Sequence, residues 1–197
     1  MDASTLHAYE SNAASYCDDW LNQPAPADIH ALWRRFFAPG GASADIGCGS
    51  GRDVDWLNRN GYPCVGFEPA AGLRNEARRR FPAWRYEAAA LPELDRLPAQ
   101  SFANVVCETV LMHLPLADIR PAVRALARLL GAGGTLYLSW RVTDGSDLRD
   151  AAGRLYCAFP LDAVRDELAG LGVRYDANEL SESSLRRVHR LIVRRPG

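Results

Sequence analysis

Asp45, Gly47, Gly49 and Gly51 alternate along one short segment, and Glu68 follows seventeen residues after the last glycine, at the end of the apolar run Cys64 to Phe67. Glycines let backbone approach a ligand where a Cβ would collide. The helix expected to start at about Arg52 turns free N–H groups and a positive dipole end toward an anion. A carboxylate at the tip of the next strand accepts both hydroxyls of a ribose. Together these residues read as half of a nucleoside-binding site; the bland alternative is a tight strand-to-helix turn with no ligand. A dinucleotide fold would space its glycines G-x-G-x-x-G against a pyrophosphate. That spacing is absent, which argues against a nicotinamide oxidoreductase.

The surrounding elements are those of an α/β chain. Ser4 to Trp20 reads as a helix, with Tyr9 and Tyr16 on one face, and Asp28 to Phe37 as a second, with Asp28 as its N-cap. Ala42 to Ile46 is the first core strand. Helix Arg52 to Asn60, stopped by Gly61, leads to strand Cys64 to Phe67. Helix Ala70 to Arg80, a short strand Trp84 to Tyr86 and strand Phe102 to Cys107 follow. Asp118 to Leu130 is a helix with Pro121 in its first turn and Gly131 at its end. Strand Thr135 to Trp140, helix Leu161 to Leu171 capped by Gly172, and strands Val173 to Ala177 and Val188 to Val193 complete the chain. Strands alternating with helices imply a parallel sheet covered on both faces.

Composition narrows the function classes. The chain has 197 residues, 48% hydrophobic and 24% charged, enough for one domain with a full core. Its net charge of -1 gives no global field toward nucleic acid or membrane. All 23 basic residues are arginine. The cluster Arg78 to Arg80 reads as a solvated helix face. The cluster Arg186, Arg187, Arg190, Arg194 and Arg195 falls on an edge-type strand, where charge discourages aggregation. A nucleic-acid partner is therefore not expected. Cys17, Cys48, Cys64, Cys107 and Cys157 have no C-x-x-C spacing and read as reduced, buried thiols of a cytoplasmic protein, and no metal site is expected. No signal-type apolar segment opens the sequence and no run is long enough for a bilayer.

The alternation from Asp45 to Gly51 resembles motif I of the class I S-adenosylmethionine-dependent methyltransferases, and four further stretches extend the likeness over Ala42 to Trp140. Gly66 to Pro69 resembles the second motif. Glu87 to Pro92 resembles the stretch after strand three, with Glu87 in place of aspartate. Cys107 to Pro115 resembles the segment where cofactor and acceptor meet. Leu129 to Leu136 resembles the hairpin before strand five, with Ala132 in place of proline. The resemblance implies a Rossmann-like fold with strand order 3-2-1-4-5-7-6 and strand seven antiparallel. Residues 1–41 would be N-terminal helices or lid, 42–140 the cofactor core, and 141–197 the acceptor side of one domain.

It also implies roles. S-adenosyl-L-methionine is the expected cofactor and S-adenosyl-L-homocysteine the product. Asp45, Gly47, Gly49 and Gly51 would cradle the methionine moiety, Glu68 and Pro69 the ribose, and Glu87 and Ala88 the adenine. Leu73, Cys107 and Met112 would bound the cofactor. Tyr9 and Tyr16, with Trp20, form either an aromatic lid or a core stripe. His113 and Glu108 are candidate bases, with histidine packing under the cofactor and a solvated helix-cap carboxylate as their bland readings. Arg141 and Arg154 either clamp an anionic group or lie on the surface. The expected acceptor is a small molecule and the expected assembly a monomer or homodimer. An RNA or protein methyltransferase and a non-catalytic cofactor-binding subunit are the alternatives.

Overall fold

The computed structural model describes residues 1–143 and 145–197. Three helices open the chain, α1 (Ala3–Ser11), α2 (Ala13–Asn22) and α3 (Ala27–Phe36). The central part alternates β1 (Ser43–Ile46), α4 (Arg52–Arg59), β2 (Cys64–Phe67), α5 (Ala71–Arg80), β3 (Arg85–Glu87), β4 (Phe102–Cys107), α6 (Leu116–Leu129) and β5 (Leu130–Arg141). A two-stranded hairpin, β6 (Leu148–Arg149) and β7 (Leu155–Tyr156), precedes the short α7 (Asp162–Arg165) and the closing strands β8 (Gly172–Leu180) and β9 (Arg187–Arg194).

The seven-stranded sheet has the order β3-β2-β1-β4-β5-β9-β8. The pairs β1–β2, β1–β4, β2–β3 and β4–β5 are parallel, while β9 runs antiparallel to both neighbours. This is the order implied by the resemblance, with the extra β6–β7 hairpin set aside. All four residues of β1 are buried, as a strand covered on both faces requires. Alternation sorts the core. Val105, Leu136 and Leu138 face α6 through Ile119, Val123 and Leu126. Val106, Tyr137 and Ile192 face the other way onto Trp33, Val54 and Leu57. A smaller cluster of Tyr9, Ala13, Cys17, Ala70 and Leu73 fixes α1 and α2 on α5.

Several local expectations are corrected. The first predicted helix is two, broken at Asn12 with φ -130°. Asp2, whose carboxylate accepts from the Thr5 N–H at 2.9 Å, caps α1. Asp28 does not cap α3; it lies inside the first turn and accepts from Arg190 Nη2 at 2.5 Å. Gly131 is strand, the helix after Leu161 is four residues followed by a 3-10 turn, and Gly172 begins β8. The arginine-rich strand β9 is internal to the sheet, between β5 and β8. No helix among the described residues is long and apolar enough to cross a membrane.

Candidate functional site

The loops after β1, β2, β4 and β5 converge on an open cleft holding about 900 Å³ of unfilled space, part of it open to solvent. Gly47, Gly49, Glu68, Leu73, Glu108, His113 and Tyr9 line it, joined by Trp20 and Arg141. These are the carboxyl ends of the parallel strands, where ligands collect in open α/β sheets.

The glycine loop is shaped partly by its neighbours. Gly47 has φ +82°, and a Cβ there would stand 2.4 Å from Val110 Cγ2. Gly47 is therefore required by close packing of the β4 loop as much as by any ligand. Gly49 has φ +51°, and its open side faces Trp20, with 3.0 Å from a Cβ position to Cζ3. Gly51, whose added Cβ would meet the Tyr86 hydroxyl at 2.7 Å, does not line the cleft. Of the three glycines, Gly47 and Gly49 line the cleft and Gly51 does not.

Glu68 closes the floor. Its Oε2 accepts from the Gly49 N–H at 3.0 Å and its Oε1 from the Ala70 N–H at 2.9 Å. Each oxygen keeps a lone pair for a further donor. Burial pushes the carboxyl up to about 7, although the two backbone N–H groups and Arg74 favour its anion. Asp45 lies beneath the loop rather than at the cleft. It is 2% exposed, its Oδ2 has no partner among the described residues, and burial beside Asp53, Glu108 and Glu68 raises its carboxyl well above the usual range.

Glu108 stands at the end of β4. Its Oε2 accepts from the Tyr137 hydroxyl at 2.7 Å and from the Ser139 hydroxyl. Ser139 Oγ in turn accepts from the Thr109 N–H at 2.9 Å. Both hydrogen bonds fall on one oxygen, so Oε1 has no such tie among the described residues. Burial raises the Glu108 carboxyl above its ordinary value, opposed by the Ser139 and Tyr137 hydrogen bonds. Its predicted bland reading, a solvated helix-cap carboxylate, is corrected by these partners.

His113 is occupied at both ring nitrogens. Nδ1 meets the Leu155 carbonyl at 2.6 Å, which can only accept, so Nδ1 carries the proton. Nε2 then accepts from the Tyr9 hydroxyl at 2.9 Å. Burial holds the imidazole down at about 4. This histidine joins α1, the β4 loop and β7; as a general base it lacks a free lone pair.

Other expected residues lie outside the cleft. Tyr16 stacks on Trp20 and carries the Arg154 guanidinium 4.6 Å from its ring centre. Arg154 pairs with Asp150, which removes it from the acceptor side. Cys107 and Met112 are core residues. The Pro69 carbonyl accepts from Arg74. Glu87 pairs with Arg85, and neither Glu87 nor Ala88 lines the cleft. Arg190 is 1% exposed and bridges Asp28 and Glu179, so this member of the C-terminal basic cluster is a buried ion-pair residue. Residues missed by sequence reasoning are Val110, Ser139, Tyr137 and the serines 181, 183 and 184, which reach the cleft from the β8–β9 turn. A polar serine inside the apolar run of β5 was the available signal. No cluster of three metal-ligating side chains occurs among the described residues.

The fit of an adenosyl sulfonium can be judged on these atoms. A carboxylate with two unused lone pairs at the strand tip, a glycine loop and an apolar wall of Leu73, Tyr9 and Trp20 suit its ribose and methionine parts. The residues fit that group.

A family profile described as "Methyltransferase domain" matches residues 44–138. Among curated proteins, a ubiquinone biosynthesis O-methyltransferase of Xanthomonas campestris is 30% identical over 151 residues, covering 70% of this chain and 62% of that protein. A trans-aconitate 2-methyltransferase of Methylobacterium nodulans is 35% identical over 97 residues, covering 47% of this chain and 35% of that protein. The chain spans about three fifths of the length of the ubiquinone-type relatives it matches. Among solved structures, the Burkholderia thailandensis 1,6-didemethyltoxoflavin-N1-methyltransferase superposes with a TM-score of 0.77 at 18% identity, covering 99% of this chain and 88% of that one. That likeness is one of fold.

Proposed function

We propose that the chain, whose residues 44–138 match the methyltransferase-domain profile, is a class I S-adenosylmethionine-dependent methyltransferase that methylates a nucleophilic oxygen, nitrogen or sulfur of a small molecule. The observation that carries this reading is one cleft lined by both Glu68, with lone pairs to spare, and Glu108, with Oε1 untied. The bound cofactor supplies an electrophilic methyl group, so the protein must bind, align and exclude water.

Glu68 receives the ribose hydroxyls. Trp20, Tyr9 and Leu73 cover the apolar side, and the Tyr9–His113 hydrogen bond holds that cover to the β4 loop. Glu108 Oε1 takes the proton of a hydroxyl acceptor, while Tyr137 and Ser139 keep the carboxyl oriented. His113 acts through Tyr9 and not on the acceptor. An oxygen acceptor is the first to test, because curated relatives named O-methyltransferases match 71% and 70% of this chain.

Macromolecular acceptors fit less well. The net charge is -1, and Arg79 and Arg80 of the first arginine cluster and Arg190 of the second are tied in ion pairs. We place the chain in the cytoplasm as a monomer or homodimer; its five buried, unpaired cysteines support a reducing compartment. The test is calorimetry with S-adenosylhomocysteine. Binding at micromolar Kd or tighter, about 8 kcal/mol, supports the reading, and binding of NAD in its place overturns it.

A further inference from the structure

We infer that the acceptor carries a carboxylate, read by Arg141 together with serine hydroxyls of the β8–β9 turn. The inference rests on the proposed methyl transfer and names its substrate class. Strand alternation places Tyr137, Ser139 and Arg141 on one face of β5. The first two hold Glu108. Arg141 stands two residues beyond Ser139, about 7 Å farther toward the cleft mouth at the rise of a strand.

Arg141 lines the cleft yet enters no ion pair among the described residues. Its neighbours differ: Arg52 pairs with Asp53, Arg154 with Asp150, and Arg190 with Asp28 and Glu179. No carboxylate of the cleft forms an ion pair with Arg141 among the described residues. Glu68 is held by backbone N–H groups, Asp53 by Arg52, and Glu108 by two hydroxyls. None supplies the counter-charge for Arg141. The guanidinium rests beside Tyr156: Nη1 lies 3.5 Å from its hydroxyl, and the guanidinium carbon lies 5.4 Å from its ring centre. A planar fork of donors matches a carboxylate in two parallel hydrogen bonds.

Ser181, Ser183 and Ser184 face the same cleft from the β8–β9 turn and add hydroxyl donors. The two ends set an order. The nucleophile lies toward Glu108 and the anion toward Arg141, two residues beyond Ser139 on β5. Flat hydroxy acids of hydroxybenzoate size carry both groups on one rigid ring. The smaller the acceptor, the more its binding must come from this one charged contact.

The experiment uses 2-, 3- and 4-hydroxybenzoate and the three matching hydroxybenzamides as probes. Each is titrated into the full chain saturated with S-adenosylhomocysteine, as wild type, Arg141→Gln and Arg141→Lys, after the affinity for S-adenosylhomocysteine itself has been measured for each. The expected result is at least one acid binding about tenfold or more tighter than its amide in wild type, the worth of a charge-assisted hydrogen bond. That ratio falls to within about twofold in Arg141→Gln and is partly retained in Arg141→Lys, with cofactor-product affinity equal in all three. The inference is overturned if no acid is preferred over its amide, or if the preference survives in Arg141→Gln. Failure of wild type to bind S-adenosylhomocysteine overturns the underlying reading, and is recognised in the first titration.

Discussion

The Tyr9 hydroxyl donates a 2.9 Å hydrogen bond to His113 Nε2, across 104 residues of sequence. It ties the first helix to the loop after β4, and it settles the state of the histidine. With Nδ1–H on the Leu155 carbonyl and Nε2 on Tyr9, both nitrogens are used only when the ring is neutral. His113 is expected to titrate near 4 and to stay neutral at pH 5. Its folded pKa lies below the ordinary value of 6.5. The stability it contributes is therefore present above 6.5 and lost as pH falls toward 4, because the unfolded chain takes up the proton first. Nitrogen chemical shifts of the imidazole check this. Tyr9→Phe should leave Nε2 stranded and cost about 1–3 kcal/mol in urea denaturation. A ring that protonates near pH 6.5 in wild type would show that the hydrogen bond is absent in solution.

Gly47 offers a test of the turn that is separate from ligand binding. Gly47→Ala puts a Cβ 2.4 Å from Val110 Cγ2 and forces an L side chain to φ +82°. Overpacking and backbone strain together should cost about 2–4 kcal/mol. Val110→Ala in the same chain should recover the packing part and leave the strain. A denaturation cycle showing purely additive effects would mean that Val110 does not press on this glycine.

The main sheet and the position of the cleft were legible because their cause is local and periodic. Apolar runs ending in Gly47 and Glu68 identify strands that must be buried on both faces, and the stripe of Ile119, Val123 and Leu126 identifies α6. The break at Asn12 was not legible, since α1 and α2 are set apart by tertiary packing of Tyr9 and Cys17 on α5. Nor was the state of His113. A histidine's ordinary pKa suggested a base, but burial and two partners from distant segments decide otherwise. Glu108 shows the reverse: its isolated place after β4 was visible, whereas the hydroxyls that orient it come from β5. The adenine-reading role expected of Glu87 met a competing partner two residues away, Arg85.

Glu108 should behave as a group needed for transfer alone. Glu108→Gln keeps the hydrogen-bonding shape and removes the base. With a hydroxyl acceptor, kcat should fall by about 10²–10⁴ while the affinity for S-adenosylhomocysteine stays within about twofold. Burial raises the Glu108 carboxyl, so the rise of kcat with pH should lie above the ordinary carboxylate range and vanish in the variant. Full turnover by Glu108→Gln would mean that alignment suffices without a base.

Titration calorimetry with S-adenosylhomocysteine tests most directly whether Glu68 receives a ribose in this cleft. Hydroxyl donors favour the ionised carboxylate, which burial shifts to about 7. Affinity should therefore increase as pH rises from about 6 to 8 and then level off. The free protein should lose stability from this group as pH rises from 4.5 to about 7 and level off above, since its folded pKa lies above the unfolded value. Glu68→Ala should weaken binding at pH 8 at least about tenfold, as expected for charge-assisted hydrogen bonds worth about 1.5–3 kcal/mol each, and should abolish the pH dependence. A dissociation constant unchanged by Glu68→Ala, with the variant folded, would contradict the account.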